Sequence, residues 1–490
     1  MHPTSLVAGT ARPVTGAPTR QAQWAAMADP KEPPRDPSMG SRAQRGANIA
    51  RLGASTSTNY LTSRVRRLRD GDEADARFHA ETAEKVFDML GSMKGAAMKL
   101  GQIASFVDLD LPPEAQATYH EVLARLRAAA PPVDPSSIRD VIADEFGAPA
   151  EEVFAEWDPH PIASASIGQV HRARLPDGTV VVTKVQYPGV AEAVESDIAN
   201  AEMFAPLAKV FSPNLKIRPL MDELRDRLVD ELDYQQEAQY QQAFFERYDG
   251  HPFIRVPAVF PDWCRPRVIT TEYVEGRSFD DMVAEADEAT QRRYGEIIYR
   301  FVFGSLNRFR LFNGDPHPGN YLFPGDGTTA FLDFGSVKLF RSVTREQLKR
   351  QMRAVIEGDA TGLQRELREA GFIPAGRTID PDKTLAMFRL FNQPVLEDRE
   401  YTYTREFARD VIRIGSDPKA GYWQTLRQFN FPPDYLLLNR IQWGVNSILA
   451  RLGATANWHR IALELMDEGP PATALGEAEA AFMAASPHRA

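Results

Sequence analysis

Asp315 and Asn320 stand five residues apart in Gly314-Asp-Pro-His-Pro-Gly-Asn320, and Asp333-Phe334-Gly335 follows. No other feature limits the fold as much, because the chemistry works only if all three polar side chains reach one point. A carboxylate at Asp315 can orient or deprotonate an acceptor. Asn320 and Asp333 supply hard oxygen ligands of the kind Mg²⁺ takes when held against nucleotide phosphates. Residues 321–323 and 330–332 read as short strands around the turn Pro324-Gly-Asp-Gly327. That hairpin would return the chain and set Asp333 facing Asn320. Asp-Phe-Gly alone is a weak signal, since any strand end can carry it; with Asp-x-x-x-x-Asn ahead of it at this distance it is specific.

At 490 residues the chain has room for a large two-lobed domain plus an extension, and 43% hydrophobic with 25% charged residues is a soluble globular balance. Its one cysteine, Cys264, excludes an intrachain disulfide and points to a reducing compartment. No stretch has the apolar length of a membrane span and the N-terminus lacks a signal-peptide core. The expected location is therefore cytoplasmic, not secreted, with any membrane contact peripheral. The net charge of -10 hides an asymmetry: residues 1–69 hold 11 Lys+Arg against 3 Asp+Glu, a balance of +8, which leaves -18 on the rest. An acidic body argues against nucleic-acid binding. The basic arm ending in Arg64-Val-Arg-Arg-Leu-Arg69 reads as a solvated tail, with anionic lipid headgroups as the alternative contact.

Residues 1–73 are expected to be a disordered basic arm. A helical extension is expected over 74–133, where Val86, Leu90, Met93, Ala97, Leu100 and Ala104 recur at three- and four-residue steps. The remainder predicts an α+β, two-lobed protein-kinase-like fold: a small lobe over 134–274 and a helix-rich large lobe over 275–490. In the small lobe, 168–175 and 179–186 read as strands around Pro176-Asp177-Gly178, and 220–248 as a long helix. A strand over 267–274 leads into Glu275-Gly276, where the chain would cross between lobes. The apolar cluster 297–306, interrupted by Arg300, reads as a buried helix, and helical sequence resumes by about Thr344.

Lys184 ends a valine-rich strand, where such a fold needs a cation against the α- and β-phosphates of ATP. A carboxylate from the following helix should hold it; Glu231, Asp233 and Glu237 are the candidates, with Asp233 and Glu237 four apart on one face. The loop expected to cover the phosphates offers alanines where protein kinases place glycines. It should be stiffer, because a Cβ disfavours positive φ. Candidate nucleotide contacts are thus Ala163, Ser164, Ala165, Ser166, Ile167, Gly168, Gln169 and Val170, with Glu272 and Val274 at the lobe crossing. Far upstream, Lys99 and Gln102 share one face of an otherwise apolar helix; a plain polar stripe is the alternative reading. No Ala-Pro-Glu follows Asp-Phe-Gly, and helical sequence returns within about ten residues, which leaves little room for a loop that receives peptide substrates. His317 has no partner at ligand spacing and reads as a rigid-loop residue, and Cys264 as structural.

Taken in order, these motifs resemble the UbiB family, also described as AarF-domain or coenzyme-Q-associated atypical kinases. The resemblance rests on Lys99-Leu-Gly-Gln102, Ala163-Ser-Ala-Ser-Ile-Gly-Gln-Val-His171, Val182-Thr-Lys184-Val-Gln186, Glu231-Leu-Asp-Tyr-Gln-Gln-Glu-Ala238 and Gly314–Asn320, and runs from about residue 80 to at least 340. It implies an N-terminal helical extension lying over the active site, with Lys99 where a peptide substrate would sit, facing Glu231 and Asp233 as regulatory carboxylates. Glu237 would pair with Lys184. It further implies ATP and Mg²⁺ as cofactors and ATPase activity rather than protein phosphorylation. Its implied partners are an isoprenoid lipid or quinone precursor and a membrane-associated biosynthetic complex. Two departures stand out: Asn313 occupies a position where His is more usual, and 470–490 is too polar for the C-terminal spans of many bacterial relatives. Gly-Asp-x-x-Pro-Gly-Asn also occurs in small-molecule phosphotransferases of the aminoglycoside-kinase type, and a nucleotide-gated scaffold without catalysis is a third reading. The Lys99 motif and the alanine-rich loop favour the first reading; intact catalytic groups disfavour the last.

Overall fold

The computed structural model describes residues 134–165, 167–192, 232–416, 421–430, 432–466 and 469–485. Lys99, Gln102, Ser166 and Glu231 lie outside them, as do the arm and the helical extension expected before residue 134.

Helix α1 (Pro135–Phe146) begins where Asp134 accepts the Ser136 N–H and proline supplies the first helical φ, and it stops at Gly147 with φ 71°. Ile138, Val141 and Ile142 form its buried face against an antiparallel sheet. The strands are β1 (Glu156–Ser164), β2 (Gly168–Arg174), β3 (Val180–Gln186) and, after β4 (Ile254–Arg255), β5 (Val268–Glu272), in the sheet order β1-β2-β3-β5. The predicted β2–β3 hairpin turns through Gly178 at φ 90°. Along β3 the two-residue alternation sends Val181, Thr183 and Val185 into the small-lobe core and turns Val182 and Lys184 to the other face. Val170 lies opposite Lys184 in register and shares that face.

Helix α2 (Tyr234–Tyr248) does not run back through Asp233. That residue has φ -95°, and its carboxylate accepts the Gln236 N–H at 2.9 Å, so it caps the helix. The shared helical face expected for Asp233 and Glu237 is corrected accordingly: a short acidic side chain satisfies an orphan N–H better than it continues a helix. A second difference concerns the lobe limits. Strand β4 lies within the span expected as small lobe but pairs in parallel with β9 of the large-lobe sheet. The chain dips into the large lobe, returns through β5, and crosses again at residues 273–276. There Gly276 sits so close to Phe323 that a Cβ would lie 3.0 Å from its backbone, which is why the crossing takes glycine.

The large-lobe sheet is completed by β6 (Arg277–Ser278), β8 (Tyr321–Phe323) and β9 (Thr329–Phe331), while β7 (Leu311–Asn313) pairs with β10 (Val337–Leu339). Helix α3 (Phe279–Glu285) and helix α4 (Glu288–Tyr299) follow β6; α4 runs on as a π-helical segment, Arg300–Phe309. The arginine that interrupts this apolar stretch is fully buried, with Glu296 at 2.7 Å, Glu464 at 2.7 Å and Glu479 at 2.9 Å. Around them pack α5 (Ser342–Glu357), α6 (Ala360–Glu369), α7 (Pro381–Phe391), α8 (Arg405–Ser416), α9 (Pro433–Leu452), α10 (Trp458–Leu465) and α11 (Ala474–Ala485), joined by the short strand pair β11 (Tyr401–Thr402) and β12 (Thr455–Ala456). The result is a two-lobed α+β protein-kinase-like fold with a helix-rich large lobe. Among the described residues no helix is long and apolar enough to cross a membrane.

Candidate active site

Of the acidic candidates among the described residues, Asp233 and Glu237, it is Glu237 that reaches Lys184. Being in the first turn of α2 and almost fully buried, it takes the ammonium at 2.8 Å and 3.0 Å with its two oxygens. Asp333 approaches the same nitrogen at 3.6 Å, and the Tyr234 ring lies beneath it at 5.0 Å. Burial works against this charge, but Glu237, Asp333 and Tyr234 more than offset it and hold the ammonium well above the ordinary lysine range. Lys184 is therefore a fixed cation. Its strand is tied to the start of α2 by Gln186, whose side chain donates to the Leu232 carbonyl at 2.7 Å.

Gly168 lets these elements close up, since a Cβ there would stand 2.3 Å from the Val185 carbonyl oxygen and 2.8 Å from the Tyr234 hydroxyl. The turn before it is tight: the Ala165 N–H donates to the Gly168 carbonyl at 2.8 Å, and Ile167 is buried while Ile162 is exposed. None of the described non-glycine residues of this turn has a positive φ, in keeping with alanines in place of glycines.

The second half of the site is built by two short strands. Leu332 N–H donates to the Asn320 carbonyl at 3.0 Å, so the β8–β9 hairpin brings Asp333 back beside Asn320. The Asn320 carboxamide nitrogen donates to the Asp315 backbone at 3.2 Å and to its carboxylate at 3.4 Å, which leaves the Asn320 oxygen as the available ligand atom. Asp315, Asn320 and Asp333 line one small cleft together with Asn313. His317 accepts the Gly319 N–H at 3.1 Å and stiffens the loop between them. Tyr321 beneath the loop is pushed far up by burial and by the Asp315 charge. Phe334 is wholly buried and packs at 4.9 Å on Phe244 of α2, the helix that carries Glu237. Asp333 and Glu237 are thereby positioned by one hydrophobic contact.

At the lobe crossing the Glu272 carboxylate is engaged by Arg255 and by the Ala258 N–H, and Val274 is buried. Only residues 336–341 separate Gly335 from α5, so the short span expected after Asp-Phe-Gly is realised. Cys264 is half-buried, accepts the Thr270 N–H at 3.4 Å, and has its thiol pushed up by burial, which suits a structural role.

Two contributors escape pattern reading. Asn313 bridges the catalytic loop and Asp333: it accepts the Asp315 N–H at 3.1 Å and donates to the Asp333 carbonyl at 2.7 Å. Its departure from histidine is the only sequence signal for that role. Gly444 of α9 lets Pro316 seat against the helix, since a Cβ there would lie 2.5 Å from the proline ring. Nothing in the sequence near Gly444 marks it.

The donor set fits Mg²⁺ held with substrate phosphates. One carboxylate and one carboxamide oxygen stand beside a fixed ammonium, and Mg²⁺ commonly takes one or two protein ligands together with substrate phosphates.

Comparison with known proteins places these features in context. Residues 125–367 match the family described as the ABC1 atypical kinase-like domain. The chain is 27% identical to "Atypical kinase COQ8, mitochondrial" of Saccharomyces cerevisiae, over 78% of this chain and 75% of that one. It is 30% identical to "Probable protein kinase UbiB" of Azotobacter vinelandii, covering 70% of this chain and 63% of that protein, so it spans less than two thirds of the bacterial relative. Among solved structures, the Rv3197–erythromycin complex from Mycobacterium tuberculosis aligns with a TM-score of 0.59 at 30% identity, covering 81% of this chain and all of the other.

Proposed function

The chain belongs to the UbiB, or AarF-domain, family of atypical kinase-like proteins, and from that premise we propose that it binds Mg·ATP between its lobes and turns it over. The observation that carries this reading is the position of Lys184, held 2.8 Å from Glu237 and 3.6 Å from Asp333. A cation so placed meets the α- and β-phosphates; Asn320 and Asp333 would hold Mg²⁺, which neutralises phosphate charge when bound. Asp315 orients or deprotonates the attacking oxygen. The alanine-rich turn at 163–167 and the backbone at 272–274 would flank the nucleotide. The short link after Asp-Phe-Gly leaves little surface for a peptide acceptor, which favours ATP hydrolysis or a small acceptor over protein phosphorylation. The family premise supports a client in isoprenoid-quinone or other lipid metabolism, reached at a membrane surface. The same premise supports a role for Lys99 in restricting access to the site.

The test is Mg²⁺-dependent ATP turnover by the purified chain, with and without anionic liposomes, beside Asp333→Asn. Lipid-stimulated turnover that disappears in the variant supports the reading. Nucleotide binding with no turnover under any condition replaces it with a non-catalytic scaffold, and Mg²⁺-dependent affinity unchanged in Asp333→Asn removes the metal assignment.

A further inference from the structure

Two segments cross between the lobes side by side. Strand β4 belongs to the large-lobe sheet, yet residues 258–260 just beyond it pair with β5 of the small lobe. The Phe260 N–H donates to the Thr270 carbonyl at 3.0 Å, and the Glu272 N–H to the Ala258 carbonyl at 2.8 Å. Glu272 ends β5, and the second crossing follows it. Both oxygens of its carboxylate are taken by the first crossing. Arg255 of β4 donates to Oε1 at 2.5 Å, and the Ala258 N–H donates to Oε2 at 3.3 Å.

Alternation along β5 says which way this side chain points. Thr271 lies opposite Val182 in register, so it shares the face that carries Lys184. Glu272 falls on the other face, and its carboxylate is committed to protein partners rather than turned to the nucleotide cleft. Its influence on a nucleotide therefore runs through the backbone. We propose that Arg255 is a positioning residue for the nucleotide base: by gripping Glu272 from the large-lobe sheet, it holds the backbone at 272–274 where a base is received. The proposal rests on the nucleotide reading above and adds to it a residue that touches neither phosphate nor metal. A segment already ordered loses less conformational freedom when a ligand binds, so affinity falls when the grip is removed. With side chains 39% and 31% exposed, Arg255 and Glu272 are partly screened by solvent, and the effect is correspondingly modest.

Three ligands separate the base from the phosphates: Mg·ATP, adenosine and Mg·tripolyphosphate, each titrated into the full chain by calorimetry. In Arg255→Met the affinities for ATP and adenosine should fall about threefold to fivefold, while that for tripolyphosphate stays the same. Arg255→Lys keeps the charge and should recover most of the loss. Adding Glu272→Gln to Arg255→Met should bring no further loss, because Arg255 acts through that carboxylate. Arg277→Met breaks an ion pair with Glu285 that is 2.6 Å long and lies wholly in the large lobe, and it should leave all three affinities unchanged. An equal loss for tripolyphosphate would mean that the pair sets the lobes rather than the base, and would overturn the proposal. ATP affinity untouched by Arg255→Met, or a further loss in the double variant, would overturn it as well. ATP that fails to bind the unaltered chain would overturn the nucleotide reading and this proposal together.

Discussion

The side chain of Asn313 donates to the backbone carbonyl of Asp333 at 2.7 Å. Its oxygen meanwhile accepts the Asp315 N–H at 3.1 Å, so one carboxamide sets the spacing between the loop that would meet the acceptor and the residue that would meet the metal.

Asn313→Ala should separate those two segments. Each backbone group left unpaired costs about 1–3 kcal/mol, so the melting temperature should fall with turnover. Asn313→Asp is the sharper test, because it keeps an acceptor for Asp315 and loses the donor to Asp333. Steady-state kinetics of Asn313→Asp should match those of the alanine variant; unchanged turnover would mean the link to Asp333 is idle.

Lys184 and Glu237 form a largely buried pair, with side chains 19% and 5% exposed. Lys184→Met leaves a carboxylate without its cation and should cost roughly 3 kcal/mol of stability together with ATP affinity. In Lys184→Met with Glu237→Gln, urea denaturation should show most of that stability restored, whereas calorimetry should show no return of ATP binding. Restored binding would mean that another cation meets the phosphates.

Glu479 predicts an acid limb. Burial pushes its carboxyl up, but His251, Arg308 and Arg300 more than offset this and hold it at about 2, against an ordinary 4.5. Because the folded value is depressed, the stability it contributes is fully present above about pH 4.5 and is lost as pH falls toward 2. Melting temperature followed down through that window should drop, and proteolysis should release α11 first. Glu479→Gln should be less stable near neutrality and show a shallower acid limb; an identical profile would remove Glu479 as the cause.

Gly444→Ala places a methyl where the Pro316 ring stands, at 2.5 Å, and one of the two must move. Displacement of the catalytic loop by a fraction of an ångström should lower turnover by roughly tenfold, with ATP affinity nearly unchanged, because Pro316 adjoins Asp315 rather than Lys184. Kinetics and equilibrium binding measured on one preparation separate the two effects.

The motifs of this chain are legible wherever the geometry is local. Asp315, Asn320 and Asp333 are joined by a loop and one hairpin, and turn residues such as Gly325 at φ 92° announce that hairpin directly. The β2–β3 pair is equally plain, because Pro176-Asp177-Gly178 specifies its turn and the valine alternation its faces. Lys184 is marked by standing near the end of such a strand. Its partner is not, because Glu237 lies 53 residues away and sequence offers three acidic residues within seven positions.

Tertiary structure decided between the two that lie among the described residues. Asp233 is committed to capping α2, and the same helix presents Glu237 to Lys184 while Phe244 seats Phe334. Residues 254–255 join the large-lobe sheet, because a two-residue strand has no sequence period and takes its place from β9. Arg300 reads as an interruption until Glu464 and Glu479 arrive from helices 164 and 179 residues further on. The sequence alone determined the residue types, the turns and the alternating faces, since these depend on neighbours a few positions away. Which carboxylate meets which cation, and which glycine admits Pro316, depended on packing between distant segments, where distance and desolvation rather than spacing select the partner.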